Sequence, residues 1–320
     1  MSHAETKLRT IGQQETSLSL DNTPQPFRPM HDELVPSRYA LKVGGIDVLV
    51  ISDGVLHLPT KVLVATADPA ARQAVIDQLM LPPEMLDWPL NVIVVRSGGK
   101  TILIDTGAGV NSSLPKAGQL GYRLEAAGID LADLTDVVLT HLHMDHVGGL
   151  LVDGVKEQLR PDLRIHVAAA EVKFWAKPDF SLVSMPKGFP EVLESTAQKF
   201  LREYRTYLRT FEDRAEIAPG VVAQRTGGHT PGHCVVRLRS GSDRLTFAGD
   251  AVFQVQFDHP DVQNGFEHDP SEAARVRVRL LREMAETGEL LLATHLSFPC
   301  VCQVKADGDV FRCMPVTWDY

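Results

Sequence analysis

A chain of 320 residues that is 44% hydrophobic carries enough apolar mass for a large buried core. Its formal charge of -9 comes without any block of Lys or Arg, which excludes an electrostatic nucleic-acid surface, and no apolar stretch approaches the ~20 residues of a membrane span. The four cysteines, Cys234, Cys300, Cys302 and Cys313, are few for this length and suit a reducing cytoplasm, and the opening Met-Ser-His-Ala-Glu-Thr-Lys lacks the order of a secretory signal.

Residues 1–37 are polar and irregular, with Pro24, Pro26, Pro29 and Pro36 ahead of any periodic pattern, and read as an extended arm that frays or docks on a neighbouring subunit. From there to residue 320 strands and helices alternate without a linker, which predicts one α/β domain over 38–320. Ile46–Ile51, Asn91–Val95 and Thr101–Ile104 are short β-branched runs bounded by Gly or Asp, hence strands. Helices are predicted from Asp68 to Leu81, stopped by Pro82-Pro83, and from Leu114 to Ala127, ended by Gly128. Further strands fall at Val137–Leu139, Arg164–Val167, Val221–Ala223, Val235–Leu238, Leu245–Ala248, Leu290–Ala293 and Val310–Val316. A long helical stretch covers Val192–Phe211, and Ser271 is expected to cap an amphipathic helix running to about Glu286. Cys300 and Cys302 read as buried inert thiols, because no second pair at zinc-site spacing accompanies them.

The run Thr140-His-Leu-His-Met-Asp-His-Val-Gly-Gly149 is unlike an ordinary core segment. His141, His143, Asp145 and His146 can converge only on a tight loop, and Gly148-Gly149 supplies backbone freedom for one. Imidazole and carboxylate donors suit zinc, iron, manganese or cobalt rather than calcium or magnesium. Four donors exceed the three that one catalytic zinc takes, which points to two metals. His229, Asp250 and His295 also sit beside apolar strand runs, where sites in α/β sheets form. His259 and His268 lie on a Pro/Asp-rich loop and are expected to be exposed, while His166 alternates within a strand with no motif to promote it.

Thr140–Gly149, Gly228–His233, Gly249-Asp250 and Thr294-His295, in this order, resemble the metallo-β-lactamase superfamily. That resemblance implies a four-layer αβ/βα sandwich with a dinuclear site at one edge of two sheets. It implies that His141, His143 and His229 hold a first divalent ion, that Asp145, His146 and His295 hold a second, and that Asp250 bridges both. Zinc is the leading ion, with iron, manganese or cobalt accepted by the same donors. Asp105, in Leu103–Gly107, and His233 would support the ligands from behind. A narrower similarity, carried by Val255–Pro260, His295–Pro299 and Phe311–Pro315, is to the methyl parathion hydrolase branch, which includes dihydrocoumarin and other lactone hydrolases. Within that branch Trp175 and Phe189 would wall the substrate pocket, and together with the Pro-rich arm it implies a homodimer.

The chemistry expected is hydrolysis by a hydroxide bridging the two ions, with Asp145 steering it and later returning a proton to the leaving group, and with Asp250 as the shared carboxylate. A small neutral lactone or aryl ester is the first substrate class and an organophosphate triester the second. The non-enzymatic alternative is a metal-stabilised binding scaffold. No Gly-x-Ser-x-Gly elbow supports a serine hydrolase. No basic surface supports a nuclease, and no residues remain for a flavin domain.

Overall fold

Apolar residues at every second position sort the strands onto two faces. In the computed structural model, which describes residues 35–65, 68–110 and 114–317, this patterning builds two seven-stranded sheets. The arm read over 1–37 falls almost wholly outside the described residues. The first sheet runs in chain order through β1 (Arg38–Val43), β2 (Ile46–Pro59), β3 (Met85–Ser97), β4 (Lys100–Ile104), β5 (Asp136–Val138), β6 (Arg164–Ala168) and β7 (Leu208–Phe211). Its first four strands are antiparallel, and β4 to β7 are parallel. The second sheet comprises β8 (Arg214–Ala218), β9 (Val221–Arg225), β10 (Cys234–Ser240), β11 (Asp243–Phe247), β12 (Leu290–Leu292), β13 (Val301–Asp307) and β14 (Val310–Pro315). It is antiparallel except for β11 beside β12, whose crossover carries the helix Pro270–Thr287.

Val48, Val50, Ile93, Val95, Ile102 and Ile104 pack with Val221, Ala223, Leu245 and Phe247 of the second sheet. Their neighbours Val92, Val94, Leu103 and Val137 belong instead to a core shared with Leu193, Ala197 and Phe200 of the helix Phe189–Glu203. On the far side, Val276, Leu280 and Met284 of the crossover helix cover the second sheet. Helix, sheet, sheet and helix form the αβ/βα sandwich. Among the described residues no helix is long and apolar enough to cross a membrane.

Three expectations come out differently, two for tertiary reasons and one for a local one. The helix expected over Leu114–Ala127 shrinks to Leu120–Glu125. The buried Asp53 captures the backbone before it, accepting from Gly118 N at 3.3 Å and Leu120 N at 2.7 Å, and Ala117 bridges to Gly54. The stretch Val192–Phe211 divides into the helix Phe189–Glu203 and β7, because Leu208–Phe211 finds a parallel partner in β6. Ser271 is not the cap of the crossover helix; Asp269 is, its side chain accepting from Glu272 N at 2.9 Å with Pro270 at the first helical position. Strands β1, β8 and β13 lie outside the runs that the sequence pattern marks as strands.

The same helix carries Arg277, fully buried, which pairs with Glu267 and donates to Pro260 O at 2.6 Å. That buried pair fixes the loop holding Phe266 and His268. Replacing Asp269 by Ala should cost about 1 kcal/mol of stability, whereas the exposed Ser271→Ala should stay within roughly 0.5 kcal/mol of the parent. Urea unfolding with a shared slope separates the two.

Candidate metal centre

Parallel strands deliver their carboxyl ends to one edge of the sandwich, and the candidate ligands sit there. β4 delivers Asp105, which holds a left-handed φ of 60°, a conformation that Asp tolerates better than most residues. Its Oδ1 accepts from Thr140 N at 2.8 Å, and its Oδ2 accepts from Thr140 Oγ1 at 2.8 Å and from His146 Nδ1 at 2.8 Å. Thr106 N and Oγ1 both donate to His146 O at 2.8 Å.

After β5 the chain passes through His141 and His143 into a one-turn helix, Met144–Val147, that carries Asp145 and His146. The two glycines that follow are needed for closeness rather than for unusual dihedrals, since Gly148 is right-handed helical. A Cβ on Gly148 would lie 2.1 Å from Ala108 O, and one on Gly149 would lie 1.9 Å from Thr106 O. The second histidine turn precedes β10, Asp250 follows β11, and His295 follows β12. His295 belongs to the second sheet but is held by the first. Its Nδ1 donates to Pro89 O at 2.8 Å, and Asn91 Nδ2 donates to Thr294 O at 2.9 Å and Leu296 O at 2.7 Å.

These elements bring seven buried side chains together in three overlapping groups: His141, His143 and His229; His141, His146 and Asp250; and Asp145, His146 and His295. His143 Nδ1 lies 3.1 Å from His229 Nε2, and His146 Nε2 lies 3.3 Å from Asp250 Oδ1. His295 Nε2 is 3.1 Å from Asp250 Oδ2 and 3.5 Å from Asp145 Oδ2. The inward atoms His141 Nε2, His146 Nε2 and Asp250 Oδ1 are buried and find no hydrogen-bond partner in the protein. Orphaned lone pairs of this kind are costly unless they coordinate something.

Burial and the neighbouring imidazoles hold His141 well below the usual histidine range. Burial does the same to His143 and His229. Burial also opposes a charged His146, but Asp250, Asp145 and Asp105 outweigh it and hold its pKa well above normal. His141, His143 and His229 are thus neutral donors, and the proton that the carboxylates hold on His146 is one a cation would displace. Imidazoles and carboxylates so placed make a donor set that fits two divalent cations of the zinc, iron, manganese or cobalt kind.

His233 lies behind this cluster. Its Nε2 accepts from Asp250 N at 3.1 Å and its Nδ1 faces Thr226 Oγ1 at 2.8 Å. Beside the cluster lies a narrow cavity lined by Leu56, Leu58, Trp88, Leu114, Met144, Phe189, Leu193, Phe253 and Phe266, with His143, Asp145, Asp250 and His295 also on its wall. Phe189 is on this wall; Trp175 is not. Trp175 is fully buried, with Nε1 donating to Glu171 Oε1 at 2.8 Å and its ring 5.8 Å from that of His143. Its ring backs a histidine and does not line this cavity.

His268 also departs from expectation: it is buried, its Nε2 3.3 Å from His143 Nε2 and its ring against Phe174 and Phe180. His259 is half-buried, and His166 pairs with Asp136 at 2.7 Å. Sequence reasoning missed Glu171, Trp88, Phe253 and Phe266. Phe253, three residues after Asp250, was within reach of a motif-based reading; the others are joined to the site only by the fold.

Because Asp105 holds both the outer nitrogen of His146 and the Thr140 amide, Asp105→Asn should weaken metal affinity by roughly 10- to 100-fold. Competitive titration of the metal-free protein against a chromophoric chelator measures this.

The metallo-beta-lactamase superfamily model matches residues 86–295. Among curated relatives, ribonuclease Z of Mycolicibacterium gilvum is 27% identical over 151 residues, covering 46% of this chain and 44% of that protein. The N-acyl homoserine lactonase AiiB of Agrobacterium fabrum is 26% identical over 226 residues, covering 64% of this chain and 78% of that protein. The chain spans about half the length of the first curated relatives it matches, 44% to 56%. Of solved structures, AidC, a dizinc quorum-quenching lactonase, superposes with a TM-score of 0.80 at 24% identity over 89% of this chain and 99% of that one. The hydrolase AbOPH superposes with a TM-score of 0.77 at 24% identity over 89% and 99% of the two chains. Likeness at this identity speaks to the fold. The family match takes in all seven converging side chains, and the chain belongs to the metallo-beta-lactamase superfamily.

Proposed function

We propose that this protein is a metal-dependent hydrolase that opens lactones or cleaves aryl esters. In this reading His141, His143 and His229 would hold one divalent cation and Asp145, His146 and His295 a second, with Asp250 placed to serve both. One observation carries this reading: four of the seven converging side chains, His143, Asp145, Asp250 and His295, open onto an apolar cavity rather than closing into a structural knot. Two divalent cations bound there, zinc before iron, manganese or cobalt, lower the pKa of water toward neutrality and polarise an ester carbonyl.

The protein's own groups do the rest. Asp145 reaches the cavity floor and stands 3.5 Å from both His146 and His295, placed to take a proton and return it to the leaving oxygen. Burial opposes ionisation of Asp250, yet His295 and His146 hold its pKa well below the usual carboxylate range, so it stays anionic throughout. His143, Asp250 and His295 occupy the floor while Leu56, Leu58, Phe189 and Phe266 exclude water above it. Among the described residues no Lys or Arg lines the cavity, which disfavours anionic substrates and favours a neutral ester with an acyl or aryl group.

The likeness to lactonases by name, AiiB and AidC, supports the lactone reading. A neutral phosphotriester meets the same wall, and the sequence similarity of Val255–Pro260 and His295–Pro299 to the methyl parathion hydrolase branch supports it as the second reading.

A panel of dihydrocoumarin, N-hexanoyl homoserine lactone, phenyl acetate and methyl paraoxon, ranked by kcat/KM, tests the assignment. A lactone or aryl ester should lead, and chelation should abolish turnover until zinc is restored. Methyl paraoxon in first place would promote the second reading, and turnover that survives complete metal removal would reject the mechanism. Phe266→Ala should raise KM for the best substrate roughly 10-fold with little change in kcat, the signature of lost uniform binding.

A further inference from the structure

Glu171, on the helix Ala169–Trp175, is fully buried and accepts four hydrogen bonds from uncharged donors. Oε1 accepts from Leu142 N at 3.0 Å and from Trp175 Nε1 at 2.8 Å. Oε2 accepts from Thr230 Oγ1 at 2.7 Å and from Gly232 N at 2.9 Å. An ionised carboxylate offers about four acceptor positions and no donor, so the match is complete.

The identity of the donors gives this arrangement its meaning. Leu142 lies between His141 and His143, and Thr230 follows His229. One carboxylate therefore grips the immediate neighbours of the three histidines that form the first candidate group, across two loops far apart in sequence. The second turn is pressed so closely onto this helix that a Cβ on Gly232 would lie 2.2 Å from Glu171 N. The other candidate ligands are held by different groups: His146 by Asp105, and His295 by Pro89 O and the Asn91 amide.

We propose that Glu171 is a positioning residue for the first cation alone, clamping the His141–His143 segment to the His229 turn so that three imidazoles are preorganised before metal arrives. This rests on the two-cation reading above. A glutamine in its place would turn an N–H toward one donor pair and force the loops apart; an aspartate would be one methylene too short to reach both.

Stepwise zinc titration of the metal-free protein against a chromophoric chelator tests it, with His229→Ala and His295→Ala each leaving one candidate set intact to assign the steps. Glu171→Gln should weaken the first site by roughly 10- to 100-fold and leave the second unchanged, with the metal-free protein retaining its circular dichroism. Equal loss at both sites, or no loss at either, would overturn the proposal. Should Glu171→Gln not fold, Thr230→Val decides: selective loss at the first site supports the clamp and unchanged affinities refute it. A parent protein that takes up fewer than two zinc ions defeats the two-cation reading on its own, before any variant is measured.

Discussion

Everything at the edge of this sandwich depends on how buried carboxylates are satisfied. A desolvated carboxylate is tolerable only when donors surround it or a cation meets it. Asp105 spends its oxygens on Thr140 and His146 and thereby shapes the loop after β5. Asp53 does the same for the backbone at Ala108, Gly118 and Leu120, so that burial lifts its pKa to about 6 while three amides oppose the shift. Asp250 differs from both. Its Oδ1 has no hydrogen-bond partner and faces imidazole nitrogens, which is the arrangement of a group meant to bind rather than to brace.

The catalytic reading and the specificity reading draw on separate parts of the fold that meet at His295. Phe253 stacks on the His295 ring at 4.8 Å, and Trp88 meets it edge-on at 5.6 Å. Both aromatics also wall the cavity. The same rings that set the orientation of a candidate ligand therefore shape the space a substrate would fill, and a change made for specificity is felt at the metal.

How much of this was legible in the chain follows from what is local. The dense run His141–His146 is chemically conspicuous and, like His229, Asp250 and His295, lies beside strands, and it is the superfamily resemblance that draws them into one donor set. Alternating β-branched runs likewise marked the strands that the two sheets share. Residues whose role is made by partners elsewhere could not be read. Glu171 matters because Leu142 and Thr230 converge on it, and His268 because it meets His143, and neither juxtaposition leaves a trace in spacing. Trp175 was misread because a large aromatic near a pocket motif can face either way, and here its indole N–H is needed by Glu171. The helix expected from Leu114 failed for the same reason, since local propensity lost to the pull of Asp53.

The anchoring of His295 has a further consequence. His141, His143 and His146 hang from the first sheet, whereas His295 is delivered by the second and tied back to β3 through Asn91 and Pro89. A cation gripped from both sides binds only the docked pair of sheets, so its binding free energy becomes cohesion between the two halves, growing as RT ln(1 + [L]/Kd). On the two-cation reading, scarcity of metal would loosen the whole sandwich and not merely remove its chemistry, and the amount of folded protein would follow the metal supply.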